Sequence, residues 1–135
     1  MKNGKDKIKF AYIAGPYSAP TVDEIDANIY TAWEASIEVA NKGWFPICPH
    51  QNTAKFDRFC DQPYEFYIEG DLELIRRVQP DVMVMVGDYM SSQGAVIEMA
   101  LARDLGIRIF TSVVDLPDIS DSGFESEDWG VFLEN

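Results

Sequence analysis

The run Val82-Met83-Val84-Met85-Val86 constrains the fold more than any other part of the chain. A strand with one wet face alternates apolar and polar residues. This run has no polar face, so both of its sides must be covered. Helices on the two faces of a parallel sheet supply that cover. The flanking segments agree. Ile8–Ala14 is apolar and is stopped by Gly15-Pro16. From Val22 to Asn41, the residues Ile25, Ile29, Ala32, Trp33, Ser36, Val39 and Ala40 recur at helical spacing. Thr21 or Asp23 can cap the start of that helix, and Lys42-Gly43 ends it.

Trp44–Cys48 predicts a short second strand ended by Pro49, and residues 49–62 predict a loop. Tyr64–Val78 reads as a helix stopped at Pro80-Asp81, with Tyr67, Asp71, Leu74, Ile75 and Val78 on one face. Gly94–Leu105 is a further helix closed by Gly106, and Ile107–Val114 a last strand. The order β-α-β-α-β-α-β implies right-handed crossovers. The expected fold is therefore α/β: one three-layer domain on a parallel sheet of four or five strands. The domain is expected over residues 1–114, with 115–135 a peripheral or mobile tail. Residues 113–135 hold seven acids and no Lys or Arg.

The net charge of −12 opposes binding of a nucleic acid polymer, which needs basic patches. A small anion held by local N–H groups remains open. No apolar run approaches a membrane span, and the N-terminal lysines lead into too short an apolar stretch for a signal peptide. Cys48 and Cys60 make no disulfide framework or CxxC pair, and one histidine gives little for zinc. Two reduced thiols, a cytoplasmic protein, no metal and no cofactor are expected.

In parallel sheets ligands bind at the carboxyl ends of the strands. The functional loops should then be Gly15–Thr21, Pro49–Asp57 and Gly87–Gly94. Ser92-Gln93-Gly94-Ala95-Val96-Ile97-Glu98 follows the buried strand as a small polar turn opening a helix, an arrangement that gathers N–H groups and the positive end of the helix dipole. Glu98 then lies about one turn into the helix, either as a solvated helix acid or as a carboxylate with a chemical purpose. Tyr12 reads equally as a packed strand aromatic or a catalytic one. Asp71 is either a helix-surface acid, flanked by Glu69 and Glu73, or a functional one.

Tyr12-Ile13-Ala14-Gly15-Pro16-Tyr17-Ser18, then Asp71-Leu72, then Ser92-x-Gly94-x-x-x-Glu98-x-x-x-Ala102, resembles the nucleoside 2-deoxyribosyltransferase-like superfamily, above all its small members of unassigned substrate. The likeness spans roughly residues 8–112. It implies a flavodoxin-like fold and cleavage of the N-glycosidic bond of a 2′-deoxynucleoside or its 5′-monophosphate. Glu98 matches the nucleophile that forms a glycosyl-enzyme intermediate, as in retaining glycosidases. Tyr12 matches the residue that holds this nucleophile, and Asp71 the acid that serves the leaving base. Water as acceptor makes the protein a hydrolase; a second base makes it a transferase.

Within that resemblance, Ser92 with Ser91 favours the monophosphate branch, because a hydroxyl can donate to phosphate where an acid would repel it. That branch carries an Arg in the first loop, where this chain has Ser18; Lys55 or Arg58 could substitute. Gly15, Pro16, Tyr17, Ser18, Ser91, Ser92 and Gly94 are the expected substrate-binding set. His50 joins them as a base or phosphate contact, although a lone loop His is often structural. Tyr64, Phe66 and Tyr67 could stack on a base or pack in the core. The resemblance also implies a homo-oligomer with a shared active site. A non-catalytic nucleotide-sensing module on the same sheet is the alternative. A phosphoacceptor receiver is set aside, since Gly15-Pro16-Tyr17-Ser18 supplies no acids and no Lys occurs beyond residue 55.

Overall fold

Whether a strand is buried on one face or two decides where the layers of this chain lie. A computed structural model describes residues 8–119. The strands are β1 (Phe10–Ala14), β2 (Phe45–Ile47), β3 (Val82–Met85) and β4 (Arg108–Phe110). The helices are α1 (Val22–Asn41), the one-turn α2 (Pro49–Asn52), α3 (Tyr64–Val78) and α4 (Gln93–Asp104). The four strands form one parallel sheet in the order β2-β1-β3-β4, a flavodoxin-like arrangement.

β1 and β3 are the inner strands, and their alternation sorts residues between two cores. Ala11 and Ile13 join Val82, Val84 and Val86 under α1, with Ala35, Val39 and Trp44. Tyr12 and Ala14 join Met83 and Met85 under α3 and α4, with Ile75, Met99 and Ala102. The valines of the buried run thus face one helical layer and its methionines the other, as a period of two requires. The chain passes from β1 to β2 on one side and returns across β1 to β3. The strand order therefore reverses between β1 and β3, and a crevice opens at their carboxyl ends.

Local signals explain the helix boundaries. Thr21 caps α1: its hydroxyl oxygen accepts from the Glu24 N–H at 3.2 Å and its O–H donates to the Glu24 carboxylate at 2.9 Å. Ser92 caps α4 by accepting from the Ala95 N–H at 3.2 Å. Gln79 ends α3 in the left-handed conformation, with φ of 51°.

The structure corrects several expectations. The four described strands agree with the expected four or five, but β1 begins at Phe10, and the segment from Ile107 to Val114 is strand only at Arg108–Phe110. A 3-10 turn at Val113–Asp115 follows it, capped by Ser112. The loop expected over 49–62 contains α2 and a second 3-10 turn at Phe56–Arg58. Trp33 lies on the solvent side of α1 against Tyr30, their ring centroids 5.5 Å apart. Residues just beyond 114 pack against the sheet and α1. Leu116 is buried, Trp44 Nε1 donates to the Pro117 carbonyl at 2.8 Å, and Lys42 Nζ donates to the Val113 and Leu116 carbonyls at 2.7 Å each. The rest of the expected tail, 120–135, lies outside the described residues.

Gly15 sits where β1 leaves the sheet beside the end of β3. A Cβ there would fall 2.6 Å from Val86 Cγ2 and 2.7 Å from the Val86 carbonyl oxygen. The second contact is with backbone, which cannot move without breaking the bond from the Val86 N–H to the Ala14 carbonyl. Gly15→Ala is expected to lower stability by roughly 2 kcal/mol or more through overpacking. Urea denaturation measures this; a loss below about 0.5 kcal/mol would show that the crossover is not close-packed.

Candidate active site

Burying an ionisable side chain between a sheet and a helix is costly unless a partner satisfies it. Glu98 is in that position: α4 presents it to the sheet, and it is 5 % exposed. Tyr12, fully buried on β1, donates its O–H to Glu98 Oε2 at 2.7 Å. β1 aims Tyr12 at this point because its odd and even residues face opposite layers. α4 reaches it because Ala95 and Ala102, small and buried, let the helix lie close to the sheet.

The carboxyl of Glu98 opens on a cavity of about 480 Å³ at the carboxyl ends of β1 and β3. That is the size range of small-molecule sites. Asp71, half-buried on α3, lines the same space. Burial pushes the Glu98 carboxyl up to about 8; the Tyr12 hydrogen bond lowers it in part, and the Asp71 charge raises it further. Burial alone lifts Asp71 to about 6. Burial, then the charges of Glu98 and Asp71, hold the Tyr12 phenol well above its ordinary range. Tyr64 at the rim is raised by burial and then by the same two acids.

The three expected loops do converge here. Gly15, Tyr17, Ser18, His50, Ser91, Ser92 and Gly94 all line the cavity. Several serve the fold as well. His50 Nε2 lies 2.9 Å from the Pro16 carbonyl oxygen, so it carries the proton and donates it there. Burial lowers the pKa of this imidazole and keeps the ring neutral at physiological pH. Pro16 is outside the lining and contributes that carbonyl. The Ser91 O–H donates to the Asp88 carbonyl at 2.8 Å, and Ser92 Oγ is the α4 cap. A Cβ at Gly94 would lie 3.0 Å from the Tyr64 hydroxyl, so this glycine lets α3 and α4 approach at the rim.

Of the aromatics read as stackers or core, Tyr64 and Tyr67 line the cavity, whereas Phe66 is exposed and outside it. Neither Lys55 nor Arg58 belongs to the lining; Arg58 is paired with Asp26. Thr53, Asp57 and Gln62 line the cavity without having been singled out. Asp57 had a signal, since it closes the loop expected at the end of β2. Among the described residues no group of His, Cys, Asp and Glu side chains is placed to hold a metal ion, and no helix is long and apolar enough to cross a membrane. Cys48 and Cys60 are both free.

A carboxyl held above its usual value opposes folding as it ionises. In the unfolded chain Glu98 titrates near 4.5; in the fold it titrates near 8. The native state therefore binds the extra proton between those values, and stability falls as pH rises through them. Glu98→Gln keeps an acceptor for Tyr12 and removes this cost. It is expected to raise stability by roughly 3–5 kcal/mol at pH 9 and little at pH 4. Thermal melts across pH test this; a gap that does not change with pH would contradict the buried, raised carboxyl.

A model of the domain of unknown function DUF4406 matches residues 9–111, and the chain belongs to that family. Comparison with curated proteins gave no match.

Proposed function

For this member of the DUF4406 family we propose cleavage of the N-glycosidic bond of a 2′-deoxynucleoside or its 5′-monophosphate, with Glu98 as nucleophile. The observation that carries this reading is the buried Glu98 carboxyl, gripped by Tyr12 on one oxygen and sharing a cavity with Asp71. The resemblance of the Tyr12–Ser18, Asp71-Leu72 and Ser92–Ala102 segments to the nucleoside 2-deoxyribosyltransferase-like superfamily supports it.

The chemistry follows from the two acids. The Glu98 carboxylate attacks C1′ through the oxygen that Tyr12 leaves free. The C1′–N bond breaks with its electron pair passing to the base nitrogen, which takes the proton of Asp71. A C1′–O bond to Glu98 results. Water, or the N–H of a second base, then attacks C1′ while giving its proton to the Asp71 carboxylate, and Glu98 departs with its electron pair. A 2′-deoxy sugar suits this route, because no electron-withdrawing 2′-hydroxyl opposes positive charge at C1′. Burial raises the basicity of Glu98, and the Tyr12 hydrogen bond keeps its ionised form within reach.

The proposal extends to a homo-oligomer. Tyr30, Trp33 and Ile37 form an exposed apolar stripe on α1, surface of the kind that subunit contacts cover.

Base release from the four common deoxynucleosides and their 5′-monophosphates, followed by chromatography, tests the reading. Wild type is expected to release base, and Glu98→Ala to lose activity by about 10³-fold or more. No release from any substrate, with or without an acceptor base, would leave a nucleotide-binding module in its place.

The pH profile is a separate check. Between about 6 and about 8 the acid pair holds one proton. These values put that proton chiefly on Glu98, and the reactive form is the minor arrangement with it on Asp71, so kcat/KM is expected to rise through about 6 and fall above about 8. Asp71→Asn should remove the acid and cut kcat/KM by roughly 10²-fold. A wild-type profile flat from pH 5 to 9 would contradict the assignment.

A further inference from the structure

The second loop supplies a carboxylate that the two-acid chemistry does not use. Asp57 lines the cavity, and Asp57 Oδ1 accepts the Tyr17 O–H at 2.8 Å. The same Tyr17 oxygen accepts the Lys55 N–H at 2.9 Å. Lys55 takes a left-handed backbone conformation to offer that N–H, with φ of 65°. A non-glycine residue adopts this conformation at a cost, and such strain collects at functional loops. The Tyr17 ring rests edge-on against His50 with centroids 5.5 Å apart, and Asn28 of α1 donates to its carbonyl at 3.1 Å. Asp57 is therefore aimed through Tyr17, itself held by both loops and a helix, while Asp57 Oδ2 has no hydrogen-bond partner among the described residues.

The charges facing a ligand are one-sided. Asp57, Asp71 and Glu98 line the cavity, and no described Lys or Arg does. The donors that would serve a phosphate are already engaged in part: the Ser91 O–H goes to the Asp88 carbonyl, and Arg58 goes to Asp26. Asp57 stands exposed at the mouth of this cavity, ahead of the buried Glu98 and the half-buried Asp71, so it repels an entering phosphate with a strength that salt screens. A carboxylate oxygen without a partner is, by contrast, a strong acceptor for a hydroxyl.

We propose that Asp57, held by Tyr17, is the specificity-determining residue of the cavity: it accepts a sugar hydroxyl and turns away a 5′-phosphate, so the substrate is the uncharged nucleoside. This rests on the nucleoside reading above, and it sets aside the monophosphate preference that Ser91 and Ser92 suggest.

The test compares the four common deoxynucleosides with their 5′-monophosphates by base release and by calorimetric binding to Glu98→Ala. Wild type should prefer the nucleoside by about tenfold or more in kcat/KM. Asp57→Asn should narrow that ratio to within about threefold and weaken the salt dependence of phosphate exclusion. Tyr17→Phe leaves the charge and removes its positioning; it should weaken nucleoside binding while phosphate stays excluded. Circular dichroism confirms that each variant is folded. A wild-type preference for monophosphates, or an unchanged ratio in Asp57→Asn, would overturn the assignment and leave the glycosidic reading standing. Selective nucleoside binding without base release would remove the chemistry and keep Asp57 as the selector. No binding of either class would overturn both.

Discussion

The Tyr12–Glu98 hydrogen bond joins two side chains 86 residues apart, and the rest of the site is arranged around it. An acid in a core needs a donor, and the donor must come from an element already rigid. β1 meets that condition, since Ala11 to Ala14 are wholly inaccessible and the strand is paired on both edges. Its register with β3 fixes Tyr12 opposite Met83, on the face that α4 covers. Even with this bond the Glu98 carboxyl stays near 8, so burial outweighs the hydrogen bond. A site that holds such a group gives up stability to have it, as functional sites commonly do.

Around that centre the loops bind mainly to one another. His50 fastens the first loop through Pro16, and Tyr17 reaches across to Asp57 and Lys55. Gly15 gives the first loop its close passage over Val86. These contacts stiffen the cavity wall before any ligand arrives, which is what positioning of a reacting group requires. The resulting lining carries Asp57, Asp71 and Glu98, with the α4 N-terminus at its edge.

Much of this was legible in the chain. α1 and α3 match the expected spans Val22–Asn41 and Tyr64–Val78, because strong periodicity and clear stops coincide there. The convergence of the three loops was also readable, since parallel topology dictates which strand ends meet. Other features were not. The turn of helix at Pro49–Asn52 is too short to show a period. The packing of Leu116 is invisible in an acidic stretch, because it depends on Lys42 and Trp44 some 70 residues earlier. Trp33 has helical spacing yet faces outward, since an apolar side chain does not declare which face of its helix is covered.

The sequence by itself determined the α/β class, the layer order, and the set of residues brought to one sheet edge. Those follow from periodicity and chain connectivity, which are local properties. Only the tertiary structure decided which candidates are engaged by the fold and which lie desolvated beside open space. Ser91, Pro16 and His50 spend their hydrogen bonds on the fold, whereas Glu98 and Asp71 are desolvated beside open space. Desolvation and partner choice arise from residues distant in the chain. The same holds for Asp57, an ordinary loop acid until Tyr17 is folded against it.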